Sequence, residues 1–223
     1  MGDAIGQVLS YGVGVALSPI PIIAVALILG TPRARSNGPA FLLGWVIGLA
    51  VIGAIVLVVA GGANANEGGE PATWVDVLKL VIGVLLIVFA LRQWRLRPHR
   101  GEHAPMPGWM RTVDRFTPGR SLAVAAALSG INPKNLLLTV GAASAIAQVG
   151  GSAGEQAIAL AVFVVVATLG PGLPVAIYFA LGDRAKAILD DLKTWMAANN
   201  AAIMGVLLLV IGAKLIGDGI SGL

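Results

Sequence analysis

Cysteine is absent from this 223-residue chain, and charged residues make up only 12% of it. Without cysteine there are no disulfides, no thiol redox chemistry and no cysteine-ligated metals. The two histidines, His99 and His103, lie in a basic segment without a further ligand cluster, so we predict no metal site and no cofactor. Paired carboxylates, a Ser-His-Asp set and a glycine-rich phosphate loop are also missing. The sequence therefore predicts neither an enzyme nor a nucleic-acid-binding protein.

Long apolar segments take the place of these features. Hydrophobic residues make up 57% of the chain, and its charged fraction is about half the roughly 25% of a soluble domain. A membrane-spanning helix needs about 20 apolar residues. Six runs approach or exceed this length: 5–29, 39–61, 75–91, 121–147, 155–181 and 199–216. We predict an all-α polytopic protein with six transmembrane helices in a single domain, 1–223.

The charges between these runs predict an orientation. Arginine and lysine fall in the segments 31–38, 92–120 and 182–198, whereas the alternate connections carry acidic residues and no lysine or arginine. The positive-inside rule places the basic loops in the cytoplasm and both termini outside. We expect a multi-pass membrane protein in this orientation.

One phrase occurs twice. Residues 16–21 read ALSPIP, and residues 127–134 read ALSGINPK. Because proline disrupts a helix, Pro19, Pro21 and Pro133 predict two broken membrane helices. Residues 83–88 (GVLLIV) also return as 205–210 (GVLLLV), so 1–92 and 121–223 are predicted repeats of three spans each. An odd number of spans per repeat makes them inverted, as in many secondary transporters.

The fifth run contains a third candidate break. Gly170, Pro171, Gly172 and Pro174 interrupt its apolar sequence. A broken helix here would have to turn its free backbone groups toward protein or a water-filled cavity. A simple packing kink is the alternative.

Lys134 is the strongest candidate for a binding residue. It follows Arg120 by 14 positions, which at 1.5 Å per residue is roughly 20 Å into the membrane. A lysine there costs about 2.5–3.5 kcal/mol and is a functional candidate by default. The alternative is a lysine that caps carbonyls freed at the proline break. Its predicted polar neighbours at the substrate site are Asn132, Asn135, Ser18, Ser129 and Tyr178.

No carboxylate is predicted deep in a span. Asp76 and Lys79 are expected to form an i,i+3 pair at the membrane boundary, and Lys214 is expected to extend to the outer boundary. The deep charge is therefore positive, which suits a carboxylate, phosphate or sulfate.

The segment 93–120 is predicted to be a basic cytoplasmic loop with a short interfacial helix. Trp109, Met110, Val113 and Phe116 fall on one helical face, and 183–196 shows a similar pattern. An anchor that only sets topology is the alternative. The residues expected at lipid headgroups are Arg95, Arg97, Arg100, Trp109, Arg111 and Arg115.

The proline pair of the first span, the triplet Asn132-Pro133-Lys134 and the three-plus-three arrangement resemble the LysE transporter superfamily over nearly the whole chain. Pro19-Ile20-Pro21 replaces that superfamily's usual Pro-Gly-Pro. Within it, the chain looks most like the actinobacterial Gap and sulfolipid-addressing proteins. This resemblance implies a role in moving cell-envelope glycolipids across the inner membrane.

We therefore expect a transporter or flippase for an anionic or glycosylated envelope lipid, or for its polyprenyl-phosphate-linked precursor. Membrane lipids are its expected surroundings. An exporter of a small solute such as an amino acid is the first alternative, and a scaffold for envelope-lipid synthesis proteins is the second. A homodimer is left open.

Overall fold

The computed structural model describes residues 2–62, 66–67, 70–71, 73–95 and 108–222. Two short 3₁₀ helices, Gly108–Arg115 and Gly182–Arg184, and two two-residue strands, β1 (Asn66–Glu67) and β2 (Glu70–Pro71), accompany the α-helices. The strands pair antiparallel, with Asn66 opposite Pro71. The described part contains eight α-helices: α1 (Gly2–Ala16), α2 (Pro19–Leu29), α3 (Ala34–Gly62), α4 (Thr73–Arg95), α5 (Pro118–Gly130), α6 (Pro133–Val149), α7 (Ala153–Leu181) and α8 (Ala185–Ser221).

Four of these helices, α3, α4, α7 and α8, are long and apolar enough to cross a membrane. The bent pair α1 and α2, with 54° between its halves, makes a fifth if it is counted as one span. The predicted span 121–147 is divided between α5 and α6, of 13 and 17 residues, and each is shorter than the roughly 20 residues of a simple span. The chain is thus a helical membrane protein, while the count of six spans stays a prediction.

Large apolar side chains cover the outside of the described bundle. Val58 is 75% exposed, Val165 63% and Leu169 61%. A water-soluble protein seldom leaves so much contiguous apolar surface uncovered. These outward-facing side chains suit hydrocarbon rather than water.

The two proline breaks occur where the repeated phrase predicts them. Pro19 is the first residue of α2 and Pro133 the first residue of α6. Proline suits this position because its missing N–H would have no partner there. The Asn132 side chain accepts a hydrogen bond from the backbone N–H of Lys134 at 3.1 Å and so caps α6.

The predicted break at 170–174 is wrong, because α7 continues through Pro171 and Pro174 without interruption. A proline at 171 removes the N–H that would bond the Ala167 carbonyl. The indole Nε1 of Trp45 on α3 donates to that carbonyl instead, at 3.3 Å. The neighbouring helix thus supplies a donor that the sequence of α7 lacks.

The separate interfacial helix predicted within 183–196 is also wrong, since this segment is the beginning of the 37-residue α8. No glycine or proline occurs between 185 and 204 to stop it. In the first predicted interfacial segment, Met110, Val113 and Phe116 are buried in the core rather than turned to lipid. Asn37 of α3 holds this segment by donating to the Phe116 carbonyl at 3.0 Å.

Glycines mark the closest helix crossings. A Cβ on Gly48 of α3 would meet Ser129 of α5, and one on Gly170 of α7 would overlap the Ala16 carbonyl oxygen of α1. Where α4 meets α8, a Cβ on Gly83 would lie 2.8 Å from the Gly212 carbonyl oxygen. These contacts bring the backbones together, as small residues do between membrane helices.

The helix ends define the two ends of the bundle. α2, α4 and α7 finish, and α3, α5 and α8 begin, at what we call the basic end. α1 and α4 begin, and α6 and α8 finish, at the opposite end. Both breaks lie between these ends.

Candidate functional site

Lys134 lies where the two breaks meet. Its Nζ donates to the Gly14 carbonyl oxygen of α1 at 2.7 Å and to Ser18 Oγ at 2.6 Å. The Gly14 carbonyl needs this donor because Ser18 N–H, four residues on, bonds Val15 instead. Lys134 therefore caps a carbonyl freed at the first break, which is the structural alternative that the sequence left open.

The two hydrogen bonds of this capping role do not use all the N–H donors of the Lys134 ammonium group. A lysine ammonium has three N–H donors, and the described residues accept from it at two places. The side chain is only 7% exposed. Lys134 thus retains one donor at a buried position.

Ser18 and Asn135 join the two breaks. The Ser18 hydroxyl accepts from Lys134 and reaches two acceptors, Val15 O at 2.7 Å and Asn135 Oδ1 at 2.9 Å; its single proton serves one at a time. Asn135 Nδ2 donates to Leu128 O at 2.8 Å. Both residues are buried, and they fix the geometry around Lys134.

A cavity of about 370 Å³ adjoins this network. Residues 18–21 and 132–134 form one side of it, and α4 and α8 form the other. Its volume lies within the range of roughly 300–1,000 Å³ typical of ligand sites. Pro19, Pro21 and Pro133 therefore shape the wall of a cavity, and Asn132 and Lys134 supply part of its polar lining.

The polar lining of the far wall consists of Arg92 and Gln93 of α4 and Asn200 of α8. Arg92, in the last turn of α4, is exposed and faces the cavity. Asn200 of α8 also lines it, and its buried Oδ1 has no hydrogen-bond partner among the described residues. Sequence analysis did not single out any of them as a cavity residue, because they lie in runs that resemble a helix end or a span.

The electrostatics of the cavity favour an anion. Lys134 and Arg92 line it, and none of its described lining residues is acidic. The N-termini of α2 and α6 start at its wall, and each helix N-terminus carries roughly half a positive charge. Phe89, Met204 and Leu208 supply the hydrophobic part of the far wall.

Two of the predicted substrate residues lie elsewhere. Ser129 is fully buried at the contact with Gly48 and bonds Ala126 O at 3.2 Å. Tyr178 lines a separate pocket at the basic end beside Lys186. The phrase repeat suggested Ser129 by its equivalence to Ser18, but the α3–α5 crossing occupies its side chain.

The predicted headgroup residues are only partly described. Arg95 and Arg115 are exposed at the basic end. Trp109 and Arg111 belong to the 3₁₀ helix Gly108–Arg115, but their side chains, like the whole of Arg97 and Arg100, lie outside the described part. The headgroup role of all six stays a prediction.

A second charged cluster lies at the opposite end. Asp76 and Lys79 form the predicted i,i+3 pair at the end of α4, but the pair is buried, with Asp76 0% exposed and Lys79 6%. Asp76 Oδ1 accepts from Lys79 Nζ at 3.1 Å and from Gln148 Nε2 of α6 at 2.9 Å. Spacing alone gave no sign of this burial, because it results from α6 and α8 covering the first turn of α4.

Comparison with known proteins identifies the family. The family model described as Sap, sulfolipid-1-addressing protein, matches residues 8–221, and the chain therefore belongs to that family. No curated protein and no solved structure gives a significant match. Membership of the wider LysE superfamily stays a prediction.

Proposed function

We propose that this member of the sulfolipid-1-addressing protein family is an inner-membrane transporter or flippase for an anionic, glycosylated envelope lipid. It acts by alternating access and catalyses no covalent reaction. The observation that carries this proposal is the cavity between the two helix breaks, with Lys134 and Arg92 as its charged lining. The family's printed description, which names a sulfolipid, agrees with an anionic headgroup.

Two kinds of polar group in the cavity recognise different parts of the lipid. Basic groups bind its negative charge, and a hydrogen-bond acceptor binds its hydroxyl groups. Lys134 and Arg92 bind a sulfate, phosphate or carboxylate, and the helix N-termini at the breaks strengthen this attraction. The unpartnered Oδ1 of Asn200 accepts a hydrogen bond from a sugar hydroxyl. A buried acceptor without a partner costs about 1–3 kcal/mol, which a bound hydroxyl would recover.

The same lining argues against an amino acid as substrate. A carboxylate is the natural partner of an α-ammonium group, and no acidic residue is among the described residues lining the cavity. The hydrophobic wall of Phe89, Met204 and Leu208 instead suits the part of a lipid next to its headgroup. Export of a small anionic solute remains the second candidate, favoured by the headgroup-sized volume.

The alternating-access part of the proposal depends on the two repeats. The same number of residues separates Gly48 from Gly170, Gly83 from Gly205 and Arg92 from Lys214. Gly48 of α3 packs on α5 as Gly170 of α7 packs on α1, and Gly83 faces Gly212 as Gly205 faces Ala90. These matched crossings support inverted repeats. The placement of the basic end in the cytoplasm depends on the positive-inside rule.

Lipid retained by the purified protein tests the proposal. We expect mass spectrometry to find anionic lipid enriched over the bulk membrane, and Arg92→Gln to lower that enrichment about ten-fold because it removes one charge-assisted contact. Arg35→Gln, an exposed arginine at the same end that does not line the cavity, should keep the enrichment. Equal retention by the Arg92→Gln and Arg35→Gln proteins would contradict the site.

A deletion confined to residues 96–107 distinguishes a transporter from a scaffold for envelope-lipid synthesis. This deletion spares the buried Met110, Val113 and Phe116, which removal of the whole basic loop would not. If the protein is a transporter, the deletion variant should still move part of the lipid, measured as lipid that appears in the outer leaflet. Complete loss of activity with intact lipid retention would favour the scaffold.

A further inference from the structure

We propose that the cavity beside Lys134 opens sideways into the membrane between α4 and the second helix break, and that the acyl chains of a membrane lipid occupy this opening. The inference rests on the proposed function and adds the route by which the lipid reaches its site. Leu85 and Val88 of α4 form one edge, and Ile131 and Pro133 at the second break form the other. We call these four residues the lateral opening.

A lipid substrate requires such an opening. The cavity has a volume of about 370 Å³, which suits a headgroup but not a pair of acyl chains as well. Moving those chains through water instead would expose every CH₂ group, and each exposed CH₂ is costly. The headgroup must therefore enter the cavity while the chains stay in hydrocarbon beside it.

Helix packing leaves a gap at the place where the lateral opening lies. α4 packs along α8, where the backbones of Gly83 and Gly212 meet, and α5 packs along α3 at Gly48. α4 meets α6 near the opposite end, where Asp76 accepts a hydrogen bond from Gln148. α4 and α5 are thus held by different neighbours, and the cavity lies between α4 and the second break.

One face of α4 continues from the cavity to the outer surface of the bundle. Phe89 and Arg92 line the cavity. Leu85 and Val88 each lie four residues earlier, and residues four apart stand one above the other on the same face of a helix. Leu85 is 41% exposed and Val88 52%. The cavity wall on α4 therefore passes directly into exposed apolar surface.

The second break presents an apolar edge to the same gap. Ile131 is 73% exposed, and Pro133 is exposed while it also lines the cavity. The N–H groups of Ile131 and Asn132 both bond the Ala127 carbonyl, at 2.8 and 3.1 Å, and proline has no N–H to satisfy. A backbone whose N–H groups are bonded within the protein can face hydrocarbon. The break can therefore form the edge of a lipid-filled opening.

The order of polarity along α4 matches a lipid that stands in the leaflet at the basic end. Arg92 is in the last turn of α4, at that end. At 1.5 Å per residue, Val88 lies about 6 Å and Leu85 about 10 Å nearer the middle of the bundle. A lipid in that leaflet has its headgroup outermost and its chains toward the bilayer centre. Its anionic group therefore meets Arg92 while its chains lie in the lateral opening.

Photo-crosslinking with lipids that carry a diazirine in one acyl chain tests this route. The full chain is reconstituted in vesicles with diazirine phosphatidylglycerol, which is anionic, or diazirine phosphatidylcholine, which is zwitterionic, and adducts are mapped by mass spectrometry. With phosphatidylglycerol, we expect at least about five-fold more adducts per residue at the lateral opening than at the exposed Val165 and Leu169 of α7. With phosphatidylcholine, whose ammonium group offsets its phosphate, the two surfaces should react about equally.

A bulky label in the lateral opening provides a second test, because the chain has no cysteine of its own. Ile131→Cys labelled in the membrane with N-(1-pyrenyl)maleimide should retain at least about five-fold less anionic lipid than the same variant without the label. The label takes the place of the acyl chains in a protein that has already folded. Val165→Cys with the same label is the matched control and should keep its lipid.

The outcomes separate this inference from the proposed function. Equal adduct formation on the two surfaces with phosphatidylglycerol, or the same excess with phosphatidylcholine, would overturn the lateral opening. Undiminished lipid in labelled Ile131→Cys would also overturn it, as would a disulfide between two copies of the unlabelled variant in the membrane, since a second copy would then cover the opening. If the opening fails in this way while Arg92→Gln still lowers lipid retention, the proposed function stands and only the route is wrong.

Discussion

Replacing Lys134 with methionine separates its two roles. The variant keeps the aliphatic stem but loses the hydrogen bonds to Gly14 O and Ser18 Oγ. An unsatisfied Gly14 carbonyl costs about 1–3 kcal/mol. Removing a deep ammonium returns about 2.5–3.5 kcal/mol on insertion scales. These terms nearly cancel, so we expect Lys134→Met to change the free energy of unfolding by less than about 2 kcal/mol.

Binding should respond much more strongly. A charge-assisted hydrogen bond to an anion is worth about 1.5–3 kcal/mol, which corresponds to roughly ten- to hundred-fold in affinity. Retained anionic lipid, measured by mass spectrometry, should fall by that factor, and transport with it. Lys193→Met is the matched control, because Lys193 forms an exposed i,i+3 pair with Asp190. Normal lipid retention by a folded Lys134→Met protein would refute the assignment.

Three other predictions concern the packing around the site, each measured by thermal unfolding in detergent. Gly170→Ala should lower the free energy of unfolding by about 1–3 kcal/mol, because its Cβ would overlap a carbonyl of α1. Gly172→Ala is the control: only one side-chain atom lies near its Cβ, so this change should be neutral or stabilising. Trp45→Phe should lower the free energy of unfolding by about 1 kcal/mol, because its hydrogen bond is lost. The loss should be smaller in a Pro171→Ala background, where the helix regains its own donor. An equal loss in both backgrounds would contradict the pairing of Trp45 with the Ala167 carbonyl. Phe116→Ala should cost about 3–5 kcal/mol as a buried core change, and a cost near zero would place that residue at the lipid surface instead.

The parts of the fold that follow from local chemistry were predictable. Pro19 and Pro133 start new helices because proline fits the first position and cannot continue a helix. The depth of Lys134 in the membrane, counted from Arg120, stays a prediction, and the structure adds that its side chain is buried within the protein. Both conclusions use only the chain near the residue concerned.

The errors arose where a neighbouring helix decides the outcome. Pro171 resembles Pro133 in sequence, yet Trp45 of α3 supplies the donor that keeps α7 continuous. Asp76 and Lys79 form the pair that their spacing predicts, but the burial of that pair depends on Gln148 and Gly222, which cover Asp76. Asn200 is an ordinary helical polar residue until the cavity leaves its oxygen unpartnered. Contacts between distant segments have no trace in one sequence.

The repeated phrase has unequal chemistry in its two copies. At the first break, prolines 19 and 21 leave Ile20 as the one backbone N–H donor among the first three residues of α2. At the second, Asn132, Lys134 and Asn135 crowd polar groups onto the start of α6. Lys134 then reaches across to Gly14 and Ser18, so the second break holds the first in shape. An anion that takes the remaining Lys134 donor therefore contacts both breaks through one side chain. Under the proposed function, binding of the anion changes how strongly the two halves are held together. Alternating access requires a substrate that changes the relative stability of the two conformations.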